Sequence, residues 1–143
     1  MSVEELGSLP AGWTRVRFGD VVENKNLTTR DPQKDGLDRI VGLTHLDSES
    51  LPVVRWDLLE GETSFSRTFQ AGDVLFGKRR AYQRKVGVPD FAGICSGDIL
   101  VFKSKSSTLL QEFVPYVVQS DAFFQHALGT SAGSLSPRTN WTQ

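Results

Sequence analysis

Cysteine is nearly absent. Cys95 stands alone in 143 residues, so no internal disulfide can form, and a reducing compartment is the expectation. Histidine is almost as scarce: His45 and His126 lie far apart, and neither they nor Cys95 has a neighbour at a metal-ligand spacing. All three are expected to be packed or surface residues. No apolar run approaches the ~20 residues that a membrane-spanning helix requires. The opening "MSVEELGSLPAGW" is acidic where a signal peptide would be basic, and no apolar stretch follows it. A cytoplasmic protein is expected. Charge of one sign is lacking too, the formal net charge being −1, which excludes a generally adhesive basic protein.

What is present is an ordinary globular composition, 38% hydrophobic and 23% charged, in a chain of single-domain length. The charges are segregated. Residues 1–70 hold 8 Lys and Arg against 12 Asp and Glu; residues 71–143 hold 8 against 5. Five of the latter cations fall in the stretch "KRRAYQRK" (78–85), which points to a local binding surface. A solvated hairpin face is the plainer alternative on charge alone.

The same region contains G-x-x-x-x-G-K from Gly72 to Lys78, the outline of a phosphate-binding loop. That reading fails, because Arg79 stands where the Mg²⁺-binding Ser or Thr belongs and no helix follows before Gly87 and Pro89. Other chemistry fares no better. No G-x-S-x-G is present, and Cys95 has no base that the sequence points to. Glu23 and Lys25 form the E-x-K of a metal-dependent nuclease, but Asp20 lies too close to serve as its separated carboxylate. The chain reads as non-catalytic and needs no cofactor.

Along the chain, "WTRVRF" (13–18) alternates like a strand, and "DVVENK" from Asp20 reads as one helical turn. Residues 24–39 read as a long polar loop, "IVGLTHL" (40–46) and "SLPVVRW" (50–56) as strands, and 61–73 as a second loop. "VLFG" (74–77), "RKVGV" (84–88) and "GDILVFKS" (97–104) are further strands, the first two framing the basic tip as a hairpin. Near 107 the apolar spacing changes to three and four. A helix is predicted from Gln111 or Glu112, with Pro115 in its first turn, a break at Ser120-Asp121 and a stop at Gly129. The fold class is thus α+β: a curved antiparallel or mixed β-sheet with a central β-hairpin and C-terminal helices. The folded core is expected over 1–129, and 130–143 as a polar tail.

Nucleic-acid binding suits these features best. Lys and Arg suit phosphates, and Arg, Asn and Gln can read base edges. The candidates are Lys78, Arg79, Arg80, Tyr82, Gln83, Arg84 and Lys85 at the hairpin tip. Lys25, Asn26, Arg30, Ser64 and Arg67 come from the two loops, and Ser134 and Arg138 from the tail. A protein-interaction module with a basic patch remains the alternative from another class.

Three stretches resemble one family. "LPAGWTRVRFGDVVE" (9–23) is similar to the opening of a target recognition domain from the specificity subunit of Type I restriction-modification systems. "AGDVLFGKRRAYQRKVGVPDFAGICSGDILVFKS" (71–104) resembles that family's central block, and "LLQEFVPYVVQSDAFFQHALGTSAGSLSP" (109–137) its closing helices. The resemblance implies a non-catalytic reader of double-stranded DNA that recognises half of a bipartite site. It also implies methylation and restriction subunits as partners, in defence against foreign DNA, with no small-molecule substrate. Phosphate contacts would come from the basic block, and base reading from loops 24–39 and 61–70, with 90–97 as a further contributor. The chain departs from the family by stopping at Gln143, where a connecting helix and a second recognition domain would follow.

Overall fold

The structure, a computed structural model, describes residues 17–80, 83–105 and 109–129. A helical turn, α1 (Phe18–Val21), runs into β1 (Val22–Asn24), and β2 (Arg39–Val41) leads to a 3₁₀ turn at Leu43–His45. The short strands β3 (Asp57–Leu58) and β4 (Arg67–Phe69) precede the hairpin of β5 (Val74–Gly77) and β6 (Val86–Gly87). After β7 (Gly93–Cys95) and β8 (Ile99–Ser104), a 3₁₀ turn at Gln111–Phe113 continues into α2 (Val114–Val118) and then α3 (Asp121–Gly129).

The strands form two sheets. One has the order β1-β8-β5-β6 and is antiparallel throughout. The other has the order β3-β2-β7-β4, in which β2 and β7 run parallel and the remaining pairs antiparallel. The α+β class and the hairpin are as the sequence predicts; the single curved sheet is in fact two.

The apolar runs of β5 and β8 show how the layers stack. Successive strand residues point to opposite faces, so an unbroken apolar run implies burial on both. Val74 and Phe76 of β5, with Leu100 and Phe102 of β8, join a core completed by Val114, Val118 and Phe124 of the helices. Leu75, Ile99 and Val101 turn the other way and meet Val41, Phe69 and Cys95 of the second sheet. The antiparallel sheet is therefore the middle layer, between the helices and the mixed sheet. Phe76 sits where rings converge, with its centroid 5.7 Å from those of Phe102 and Phe124 and 5.3 Å from that of Phe123.

Several local expectations are revised. The helical turn begins at Phe18 rather than Asp20, and Val22–Asn24 pairs with β8 instead of continuing it. Residues 13–16 of the first expected strand lie outside the described residues. In 40–46 the strand stops at Val41, because the Gly42 amide donates to Nδ1 of His45 at 2.9 Å and closes the 3₁₀ turn. In 50–56 only Pro52 makes a bridge, to Val88; the paired strand is Asp57–Leu58. The bridge is made by the Val88 amide donating to the Leu51 carbonyl at 2.7 Å and the Val53 amide donating to the Val88 carbonyl at 3.4 Å, so Pro52 sits where no N–H is needed.

Strand β4, within a stretch read as loop, forms because Phe69 is buried between the sheets while its ladder partner β7 supplies the hydrogen bonds. β7 was itself hidden by its shortness and by Gly93. A Cβ at Gly93 would lie 2.6 Å from the Arg39 carbonyl oxygen, so glycine is what lets β2 and β7 approach. The helical segment is close to expectation, with Pro115 in the first turn of α2 and the break falling before Asp121.

Cys95 is fully buried between the sheets, and burial pushes its thiol up from 9.0 to about 12. The nearby Arg67 guanidinium only partly offsets this. A thiol that stays protonated is a poor nucleophile. The folded chain should thus resist iodoacetamide at pH 8 and react at one site once unfolded in guanidinium, read by mass spectrometry. Because the folded value is the higher one, this group's contribution to stability is held below pH ~9 and lost as pH rises towards about 12.

Candidate nucleic-acid interface

The two polar loops are brought together. The amide of Thr29 donates to the Ser66 carbonyl at 2.8 Å, and Thr68 donates to the Leu27 carbonyl at 2.9 Å, so the first loop starts against the end of the second. Its far end is tied as well, by the Leu59 amide donating to the Asp38 carbonyl at 2.7 Å. Between these ties the first loop is a built turn. Asp31 accepts from the Lys34 amide at 3.2 Å, Thr29 donates to Asp35, and Gly36 takes φ +77° to close it. Arg30, Lys34 and Ser64 are exposed on this pair of loops. A guanidinium on an ordered turn loses less entropy on binding than one on a loose chain.

Arg67 joins the loop pair to the basic hairpin. Its Nη2 donates to Oδ1 of Asn26 at 3.3 Å, while its Nη1 donates to the carbonyl of Ile99. Ile99 pairs with Gly77 at the end of β5, and the next amide, that of Lys78, donates to the Asp98 carbonyl at 3.0 Å. The start of the basic stretch and the root of the first loop therefore lie on one side of the molecule, with Arg67 between them.

The basic stretch is not a row of equivalent cations. Arg79 Nη1 lies 3.5 Å from Oδ2 of Asp98. Arg80 is exposed and takes φ 52°, and the Gln83 amide donates to its carbonyl at 2.9 Å. Arg84, also at φ 52°, places Nη1 2.9 Å from Oδ1 of Asp121 and its Cζ 4.8 Å from the centroid of the Phe124 ring. Left-handed backbone at a residue other than glycine costs about 1–2 kcal/mol, so both arginines sit in a strained loop. Lys85 donates its Nζ to the Leu43 carbonyl at 3.0 Å. Tyr82 lies outside the described residues, as do Ser134 and Arg138.

Lys25 is further still from a surface role. Its Nζ lies 2.9 Å from Oδ2 of Asp73, the two side chains being only 10% and 5% exposed. The same Asp73 oxygen accepts the Gln70 amide at 2.8 Å. This pair pins the chain after β1 to the turn before β5, where Gly72 takes φ +89°. An ammonium held there is not positioned as the lysine of a nuclease, and among the described residues no group of three His, Cys, Asp or Glu could hold a metal ion.

Sequence reasoning missed the acceptors Asp73, Asp98 and Asp121, since nothing in a spacing pairs residues tens of positions apart. It also missed Arg39, whose Cζ lies 4.5 Å from the centroid of the Trp56 ring and 4.7 Å from that of Phe91. The aromatics around it were legible, their convergence was not. A groove between α2 and the segment at 51–52 is lined by Leu51, Val74, Val88, Gln111, Glu112, Pro115 and Tyr116, with no cation among them. Among the described residues no helix is long and apolar enough to cross a membrane.

No family model matches the chain. Over 139 residues it is 24% identical to the Type I restriction enzyme EcoDI specificity subunit of Escherichia coli, an overlap of 96% of this chain and 30% of that protein. Among solved structures, the HsdS subunit from Thermoanaerobacter tengcongensis superposes with a TM-score of 0.75 at 25% identity, over 97% of this chain and 37% of that one. A chain from a structure of the type I R-M system, concerned with its complex assembly and conformational transition, gives a TM-score of 0.74 at 23% identity, over 93% and 36%. The chain thus spans about a third of the length of each. In both sequence and fold the chain is thus similar to part of a Type I restriction specificity subunit.

Proposed function

We propose that this chain recognises a specific double-stranded DNA sequence as one target recognition domain, reading half of a bipartite site for a Type I restriction-modification complex. The observation that carries this reading is the link that Arg67 makes between the paired loops and the start of the basic hairpin. These segments offer exposed Arg30 and Lys34 together with Lys78–Arg80, a mixture of planar forks and point charges suited to base edges and phosphates. Similarity to specificity subunits supports it further.

In this reading the chain performs no chemistry itself. It supplies the address, and methylation and restriction subunits, working in the cytoplasm against foreign DNA, supply the reactions. Residues 1–143 act as one recognition domain, with a core over 1–129 and a polar tail over 130–143 in which Ser134 and Arg138 are candidate DNA contacts.

Selection of bound duplexes from a random pool, at stated salt, tests the proposal. An enriched motif of roughly three to five base pairs is the expected result, and binding without sequence preference, or none, would remove it. Arg30 should behave as a base reader. Arg30→Ala is expected to cost roughly 1–3 kcal/mol on the best duplex and to relax preference at one position. Competition titrations against single-base variants of that duplex would show this, and a uniform loss across them would make Arg30 a backbone contact instead.

A further inference from the structure

Arg84 and Lys85 leave the basic loop side by side, yet their charged ends go to different elements. Lys85 reaches the carbonyl of Leu43 in the 3₁₀ turn after β2. Arg84 reaches Asp121 at the start of α3 and lies against the ring of Phe124, itself fully buried in the core beneath the helices. Arg84 adopts left-handed backbone at φ 52°, a conformation an arginine takes only when its surroundings hold it there. An ion pair this open contributes little to stability, with Arg84 42% and Asp121 85% exposed, so its effect has to be sought elsewhere.

We propose that Arg84 is a positioning residue for DNA recognition. Through Asp121 and Phe124 it fixes the returning limb of the basic loop to α3 and so sets how Lys78–Arg80 approach the duplex, without meeting a phosphate itself. The inference rests on the DNA-binding reading above and deepens it. It gives the returning limb of the basic stretch the task of holding the loop to the domain, with helix α3 acting as the brace.

Salt dependence separates the two roles. Each phosphate contact adds about 0.9 to the slope of log affinity against log salt, whereas a positioning residue adds nothing. The 143-residue chain would be titrated, between about 50 and 200 mM salt, with the duplex enriched from the pool. Arg84→Ala and Asp121→Ala are each expected to weaken binding roughly threefold or more at an unchanged slope, and the double variant no further than either alone. The charge-reversed pair Arg84→Asp with Asp121→Arg should recover part of the loss. Melting curves should move little for Asp121→Ala, an exposed truncation that carries the test even if Arg84→Ala folds poorly.

Three results would overturn the proposal. The slope could fall by about one in Arg84→Ala, binding could tighten in Asp121→Ala as an acid is removed and Arg84 released to the DNA, or neither variant could change affinity. A parent chain that binds no duplex at any salt would overturn the DNA-binding reading and this inference with it, which distinguishes that failure from the other three.

Discussion

Lys25→Ala is expected to destabilise the fold by about 3–5 kcal/mol, the cost of leaving a buried carboxylate without its counter-charge. The partner left behind would be Asp73, whose side chain is 5% exposed and, among the described residues, keeps only the Gln70 amide as a donor. Against a total stability of roughly 5–15 kcal/mol for a domain of this kind, such a loss is severe. Urea denaturation would show it as a lower midpoint at constant slope. A pair of changes, Lys25→Met with Asp73→Asn, should recover much of the loss, because no charge is then stranded and the amide acceptor remains. This outcome matters for function as well as stability. If Lys25→Ala kept its midpoint and instead lowered the salt slope of DNA binding by about one, Lys25 would be a phosphate ligand and the ion pair incidental.

Phe76→Ala should cost a similar ~3–5 kcal/mol, for a different reason. The ring is 1% exposed in the layer between the antiparallel sheet and the helices, and it meets Phe102, Phe123 and Phe124. Truncation removes buried apolar area and opens a void that those rings cannot fill without leaving their own contacts. Phe113→Ala provides the control. That side chain is 56% exposed on the turn before α2, and its loss should stay within about 0.5 kcal/mol. Equal effects in the two variants would mean that Phe76 does not organise the core as its position indicates.

The sequence made some of this legible and hid the rest for identifiable reasons. Val74–Gly77 and Ile99–Phe102 were readable as strands because β-branched and aromatic runs fit a pleated surface. That they are buried on both faces, and so imply a second sheet, was latent in their lack of alternation. Pro115 and Ser120-Asp121 gave the helix start and the break, since proline chemistry and capping are local. β7, by contrast, exists only because Gly93 admits the Arg39 carbonyl of β2, a contact across more than fifty residues.

The interface divides along the same line. Local composition identified the loops and the basic stretch, including exposed Arg30 and Ser64. It could not show that Lys25, Arg67, Arg84 and Lys85 have their charged ends engaged by Asp73, Ile99, Asp121 and Leu43. Counting cations overstates an electrostatic footprint whenever the acceptors arrive from elsewhere in the chain.

The loop leaving at Thr29 leans on Ser66 and returns beside Leu59, so neither stretch has a shape independent of the other. Under the proposed function, altering target preference by transplantation therefore means moving 28–38 and 59–67 as one cassette. A chimera given a longer or shorter version of only one half would push both out of line.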